Sequence, residues 1–248
     1  MVIVLGLGFT GQRLARRLLR EGVPVCAAVR GVKRFRELAD AGLILSELTP
    51  ETAGSLPKNA ILAHLIPPVA SLKPFVTELA PSRIVYVSST GVYGDQFEVN
   101  EETSPSPNDE RGQVRLEEEQ WIAAGPWTSL ILRAAAIYGP GRGVHVALRE
   151  GRVPRGGGSG IVSRIHVDDL AAIIHAGLFS GVERAWPVAD DDPCSTAEIA
   201  ASLSMESLAN NSQITIPGRR VDGRKIREKL GIELTHPSWR TGIPASLG

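Results

Sequence analysis

The residues that most restrict this chain stand at its start. Val2 to Leu5 is a short apolar run that stops at Gly6. Gly6-Leu7-Gly8-Phe9-Thr10-Gly11 then leads into Thr10 to Arg20, where Leu14, Leu18 and Leu19 form a helical stripe with arginines opposite. Glycines at this spacing, taken alone, mark only a tight turn. Between a strand and a helix each has a task. Gly6 lets the chain turn, Gly8 lets the backbone approach a pyrophosphate, and Gly11 lets the helix pack close to the sheet. The helix N-terminus offers free N–H groups to the phosphates. The segment reads as a dinucleotide site formed by Gly6, Gly8, Phe9, Thr10 and Gly11.

Alternation of strand and helix patterns continues. Val23 to Val29 reads as a second strand and Phe35 to Ala39 as a short helix. Apolar runs follow at Ile61 to Ile66, Ile84 to Val87 and Ser129 to Leu132, the last two after helical segments at 71–80 and 111–124. Near-continuous apolar strands between helices predict an α/β fold, a doubly wound parallel sheet of Rossmann type. Its ligand belongs beyond the carboxyl ends of the strands. After Tyr138 the pattern loosens into a segment rich in glycine and arginine, whose end, Gly156 to Gly160, is expected to be mobile. A helix begins near Val167, with Asp168 and Asp169 in its first turn. Short helices near 196–208 and 222–230 and a Pro-punctuated tail complete the chain. The expected division is a dinucleotide-binding domain over 1–140, to which 161–190 returns, and a small substrate cap from 141–160 and 191–248.

Composition narrows the class. The 248 residues are 43% apolar, with 27 basic and 27 acidic side chains, so charge gives no reason to expect nucleic acid or an acidic membrane as partner. The apolar run at the N-terminus is too short for a signal peptide and lacks a preceding basic residue. No segment approaches the roughly 18 apolar residues of a membrane span. Cys26 and Cys194 have no metal-ligand neighbours, so no metal is expected and both read as free thiols in a reducing, cytoplasmic compartment.

Cofactor choice is read at the end of the second strand. Ala27-Ala28-Val29-Arg30 carries no acid to accept from a ribose 2′-hydroxyl, while Lys33 and Arg34 follow closely. Guanidinium groups suit a 2′-phosphate, which favours NADP(H) over NAD(H) with Arg30 and Arg34 as ligands. The alternative is a solvated basic loop.

Several later segments carry a family resemblance. Val87-Ser88-Ser89-Thr90-Gly91-Val92-Tyr93-Gly94-Asp95, His64-Leu65, Leu132-Arg133-Ala134-Ala135-Ala136-Ile137-Tyr138-Gly139-Pro140-Gly141 and Ile165-His166-Val167-Asp168-Asp169-Leu170-Ala171 occur in this chain in the family's order. So do Ala189 to Pro193 and Arg220-Val221-Asp222. The set resembles the NAD(P)-dependent epimerase/dehydratases, the extended short-chain dehydrogenases, over nearly the whole chain. The resemblance implies that His64, Leu65, Ser88 and Arg115 stand by the cofactor and that Ser89 occupies a catalytic serine position. The family's helix after SSxxVYGD carries YxxxK. Leu116, Glu119 and Gln120 set the register here and place Arg111 at the tyrosine and Arg115 at the lysine, as in an atypical branch.

That substitution removes the standard proton donor. A phenol, with a pKa of about 10, is brought toward neutrality by a neighbouring cation, whereas arginine does not exchange a proton near neutral pH. Arg115 is able to hold ribose hydroxyls and Arg111 an anion, or both belong to a solvated face paired with Glu119 and neighbouring acids. Ser89, Tyr93 and His64 remain as catalytic candidates, though Tyr93 and Tyr138 are equally packing residues. His145 and Arg142 read either as substrate contacts or as exposed loop residues, and His166 as an organiser of the helix it precedes. The balance leans to an NADP(H)-linked oxidoreductase or epimerase acting on a carbonyl, sugar or sugar-nucleotide. The alternative is a non-catalytic NADP(H)-binding redox sensor. The short stretch between His64 and Ser89 leaves monomer and homodimer both open.

Overall fold

The computed structural model describes residues 1–69, 72–152, 158–205 and 218–247. It begins with β1 Val2–Leu5, α1 Phe9–Arg20, β2 Val25–Val29, α2 Arg36–Asp40, β3 Ile44–Glu47, β4 Ile61–His64, α3 Leu72–Leu79 and β5 Arg83–Ser89. Then come β6 Glu98–Val99, α4 Glu110–Ala123, β7 Thr128–Ala134, β8 Ala136–Tyr138, α5 Val144–Arg149, β9 Ile161–Val162, β10 Arg164–His166, α6 Val167–Leu178 and β11 Arg184–Val188. The last elements are β12 Cys194–Ser195, α7 Thr196–Ser202, β13 Arg220–Val221 and two helices, Arg224–Leu230 and Trp239–Leu247. Of the segment expected to be mobile, 156–157 lie outside the described residues, as do 206–208 at the end of one expected helix.

Seven strands form one sheet in the order β11-β7-β5-β4-β1-β2-β3, and β1 to β5 run parallel. Every residue of β1 and β2 is buried, as a sheet covered on both faces requires. α1 buries Gly11, Leu14, Ala15 and Leu18. β2 starts two residues later than the apolar pattern suggests, because the Val23 N–H donates to Leu18 O at 3.0 Å and stays with the turn closing α1. Two edge strands were not anticipated. In β3, Ile44 is 55% exposed and Ser46 and Glu47 are polar, so no apolar run betrays it. β11 contains Pro187, which a sheet edge tolerates.

The chain divides into two compact units. The first comprises Met1–Ser88, Gln113–Leu132 and Ala171–Ala185, with a core that includes Ile3, Leu5, Leu62, Phe75, Ile84 and Ile122. The second comprises Ser89–Gly112, Arg133–Leu170 and Trp186–Gly248. Its strands pair as β8 with β10, β9 with β12 and β6 with β13, around Tyr138, Leu148, Cys194, Ile199, Trp239 and Ile243. The helix Trp239–Leu247 arises in what reads as a Pro-punctuated tail. It packs through Gly242, where a Cβ would lie 2.1 Å from the Tyr138 hydroxyl. Both cysteines are free and buried. Among the described residues no helix is long and apolar enough to cross a membrane.

Candidate functional site

The glycine-rich turn between β1 and α1 separates two kinds of glycine. Gly6 has φ +97°, and a Cβ there would stand 2.7 Å from Ile66 Cγ1. A Cβ on Gly11 would stand 2.0 Å from Gly6 O. The chain's own packing thus demands both. Gly8 differs. Its backbone is extended, at φ −75° and ψ −158°, and among the described residues no atom beyond its chain neighbours lies within 4 Å of a Cβ built on it. Gly8 also begins α1 without a side-chain cap, so the helix start keeps donors for an incoming anion.

Beside this turn, still within the first unit, lies a cavity of about 190 Å³ walled by Leu48, Ile66, Leu72 and Phe75, with Arg30 at its rim. Its largely apolar lining suits a heteroaromatic ring. Arg30 and Arg34 are exposed. Glu47, an acid at the end of β3, accepts hydrogen bonds from Gly31 N at 2.9 Å and Val32 N at 3.1 Å. Those two bonds hold its carboxyl below the usual range and keep it on the loop.

Under α4 the first unit contains a polar cluster that sequence reasoning missed. Glu118 and Glu119 are both 3% exposed. The Glu118 carboxylate lies 3.6 Å from His64 Nε2 and 3.8 Å from Lys73 Nζ. Glu119 accepts a 2.5 Å hydrogen bond from Ser88 Oγ. His64, fully buried, stands opposite Tyr86 in the β4–β5 register, and the two rings meet edge to face at 5.0 Å. Burial raises the Tyr86 phenol above its ordinary value, against the opposing charge of half-buried Arg115. The run Glu117-Glu118-Glu119 looks like a solvated face, and the burial of Glu118 and Glu119 is tolerable because β4 and β5 deliver His64 and Ser88 and α3 delivers Lys73.

Within the second unit, Ser89 caps the tight turn Thr90–Tyr93, its Oγ accepting from Gly91 N at 3.1 Å. Tyr93 is fully buried, with its hydroxyl 3.2 Å from Arg133 Nη1 and its ring 5.0 Å below the same guanidinium. Gly94, at φ +57°, admits Ser106 O 2.1 Å from where a Cβ would be. Arg111 is exposed in the first turn of α4. A second cavity, of about 480 Å³, is lined by Thr90, Asp95, Asp109, Ser163 and Arg219 among others. Arg219 donates to Thr90 O, Gly94 O and, at 3.2 Å, Gln96 O, which ties the Ser89 turn to the strand that follows it. His145 is neither a loop residue nor a reachable one. It is fully buried on α5, 6.4 Å from the Tyr138 ring, and burial followed by the charge of Arg149 lowers its pKa.

No family model matches the chain. Protein YeeZ of Escherichia coli strain K12 is 32% identical over 192 residues, which are 72% of this chain and 62% of that protein. A 3-diazoavenalumate denitrifying reductase of a Streptomyces is 31% identical over 150 residues, 50% of this chain and 49% of that one. The chain therefore spans roughly half to three fifths of the length of these curated relatives. Among solved structures, one from Methylobacillus flagellatus, provisionally described as an NAD-dependent epimerase/dehydratase, has a TM-score of 0.78 at 27% identity and covers 99% of this chain and 97% of that one. The UDP-glucuronic acid 4-epimerase of Bacillus cereus, solved with UDP-glucuronic acid and NAD, has a TM-score of 0.76 at 18% identity with the same coverage and shares the fold. The chain has the fold of the NAD-dependent epimerase/dehydratases, the extended short-chain dehydrogenases.

Proposed function

We propose that this chain binds NADP(H) and transfers hydride to or from a carbon of a small polyhydroxylated or carbonyl substrate. The observation that carries the cofactor reading is Gly8, a glycine with ordinary backbone geometry and open space where a side chain would go. Among the described residues no contact requires glycine there, whereas a pyrophosphate against the start of α1 does. The apolar slot beside it takes the adenine, and Arg30 and Arg34 take the 2′-phosphate, since Glu47 is committed to Gly31 and Val32. Arg115 takes the lysine's remaining task, holding the ribose hydroxyls.

Bound nicotinamide supplies the hydride, and the chain supplies orientation and a proton path. Arg111 and Arg115 exchange no proton near neutral pH. Burial of His64 and Tyr93 favours supporting roles for both, His64 beneath α4 with Glu118 and Tyr93 beneath Arg133. Ser89 is then the side chain offered to the substrate oxygen, polarising it while water delivers or removes the proton. Polar groups of Thr90, Asp95, Asp109 and Ser163 around the larger cavity suit a hydroxyl-rich ligand, such as a sugar or sugar derivative. Two buried free thiols fit a reducing cytoplasm.

A second reading, an NADP(H)-binding redox sensor without turnover, draws on the arginines at the YxxxK positions. Calorimetric titration with NADPH, NADP⁺ and NADH tests both readings. The enzyme reading expects one saturable site that prefers NADPH to NADH by about tenfold or more, about 1.4 kcal/mol. Absence of dinucleotide binding sinks both readings, and equal affinity for NADPH and NADP⁺ removes the sensor.

A further inference from the structure

We propose that His166, Asp168 and His236 form a site for a zinc-class divalent cation, independent of the dinucleotide site. One ligand atom from each lies within 4.8 Å of those of the other two, all within the second unit. His166 ends β10 and Asp168 stands in the first turn of α6, while His236 comes from the loop before the last helix. Buried Asp169 brings that loop in. Its two carboxylate oxygens accept from Thr235 N at 2.8 Å and His236 N at 2.9 Å, so the His236 backbone is clamped to the start of α6. The His166 and His236 rings then lie 4.0 Å apart, centroid to centroid, with 53° between their planes.

Hydrogen bonding sets the tautomer of His166. Ser246 Oγ has a single hydrogen, which it donates to Gly242 O at 2.6 Å. Toward His166 Nε2, 3.2 Å away, the same oxygen must accept, so Nε2 carries the proton and Nδ1 the lone pair. That lone pair accepts from Asp168 N at 3.3 Å and faces the carboxylate oxygen Asp168 Oδ2 at 3.7 Å. A cation placed between this lone pair and the carboxylate oxygen would be attracted by both. An N–H held by a second partner behind a ligating nitrogen is also the arrangement that orients a metal-bound imidazole.

Zinc bonds of about 2.0–2.2 Å to nitrogen and oxygen place tetrahedral ligands roughly 3.3 Å apart. The 3.7 Å pair closes to that by a small rotation of half-exposed Asp168, and His236 follows by turning its ring. Two imidazoles and one carboxylate suit Zn²⁺ or Co²⁺ and not Mg²⁺ or Ca²⁺, which take oxygen-rich shells. The exposed side of Asp168 leaves a fourth position to water. Such a cation would pin the start of α6 to the loop that begins the final helix.

The test uses the full chain stripped by a chelator and titrated with Zn²⁺, Co²⁺ and Mg²⁺ by calorimetry, with visible spectroscopy of the Co²⁺ form. One cation per chain is expected, with an intense tetrahedral Co²⁺ absorption and Mg²⁺ weaker than Zn²⁺ by about a hundredfold. His236→Ala and Asp168→Asn should each weaken Zn²⁺ binding by about tenfold or more, while His145→Ala leaves it unchanged. Hyperfine-shifted imidazole proton resonances in the Co²⁺ form of the parent read histidine ligation without any variant. Unsaturable Zn²⁺ binding, affinity untouched by both ligand variants, or the absence of shifted imidazole signals would overturn the proposal.

Discussion

Replacing Gly8 and Gly11 by alanine, one at a time, separates what the fold needs from what the ligand needs. At Gly8 the backbone is extended and, among the described residues, the new methyl meets no atom beyond the chain neighbours within 4 Å. The folded state accepts it without strain, and the unfolded chain loses freedom, so Gly8→Ala should stabilise by about 0.5 kcal/mol. For a chain of this length that raises Tm by roughly 1–2 °C. At Gly11 the methyl would sit 2.0 Å from Gly6 O, a backbone atom that moves only with the turn. Overpacking of this kind costs about 1–3 kcal/mol, a fall in Tm of roughly 2–12 °C. NADPH affinity should fall in both, and in Gly8→Ala by about tenfold or more with no loss of stability. Calorimetric melting and NADPH titration of the two variants make the comparison. Should Gly8→Ala bind NADPH like the parent, the space over Gly8 is not where the pyrophosphate goes.

Three further outcomes follow from named contacts. Arg30→Ser should lower the preference for NADPH over NADH by about tenfold, read by paired titrations, because it removes a cation at the rim of the apolar slot. Glu118→Ala leaves fully buried His64 without its carboxylate and should cost about 1–3 kcal/mol in denaturant unfolding, whereas Lys73→Ala, at the solvated end of the cluster, should cost less. Asp190 is buried, and desolvation raises its pKa from 3.8 to about 8. Between these values the folded chain holds a proton that the unfolded chain releases, so this group's stabilisation is full below pH 4 and lost as pH rises toward 8. Its slope is up to about 1.4 kcal/mol per pH unit. Asp190→Asn should flatten the dependence of Tm on pH across that window.

What the sequence disclosed follows from which demands are local. The β1–α1 turn was legible because Gly6 answers to its own φ of +97° and Gly11 to Gly6 O five residues before it, and α1 because its stripe is amphipathic. β3 and β11 were not, since an exposed Ile44 and an internal Pro187 hide edge strands from any apolar pattern. Pro237 and Pro244 likewise masked the helix that Gly242 lets pack on Tyr138. At the site, the reading of Arg111 and Arg115 at the YxxxK positions rests on the family resemblance. The pairing of Glu118 with His64 and of Glu119 with Ser88 was not legible, because α4 and two strands distant in sequence must meet before it exists. His236 beside His166 is the same case, assembled by Asp169.

The central claim is that chemistry survives the loss of the YxxxK pair, with Ser89 serving the substrate oxygen. The most direct measurement follows nicotinamide absorbance for the purified chain with NADPH or NADP⁺ across a panel of carbonyls, polyols, sugars and sugar nucleotides, in parallel with Ser89→Ala. The account predicts turnover with at least one member, lost in Ser89→Ala while NADPH binding is kept. Saturable NADPH binding with no turnover across the panel, or turnover indifferent to Ser89→Ala, would contradict it.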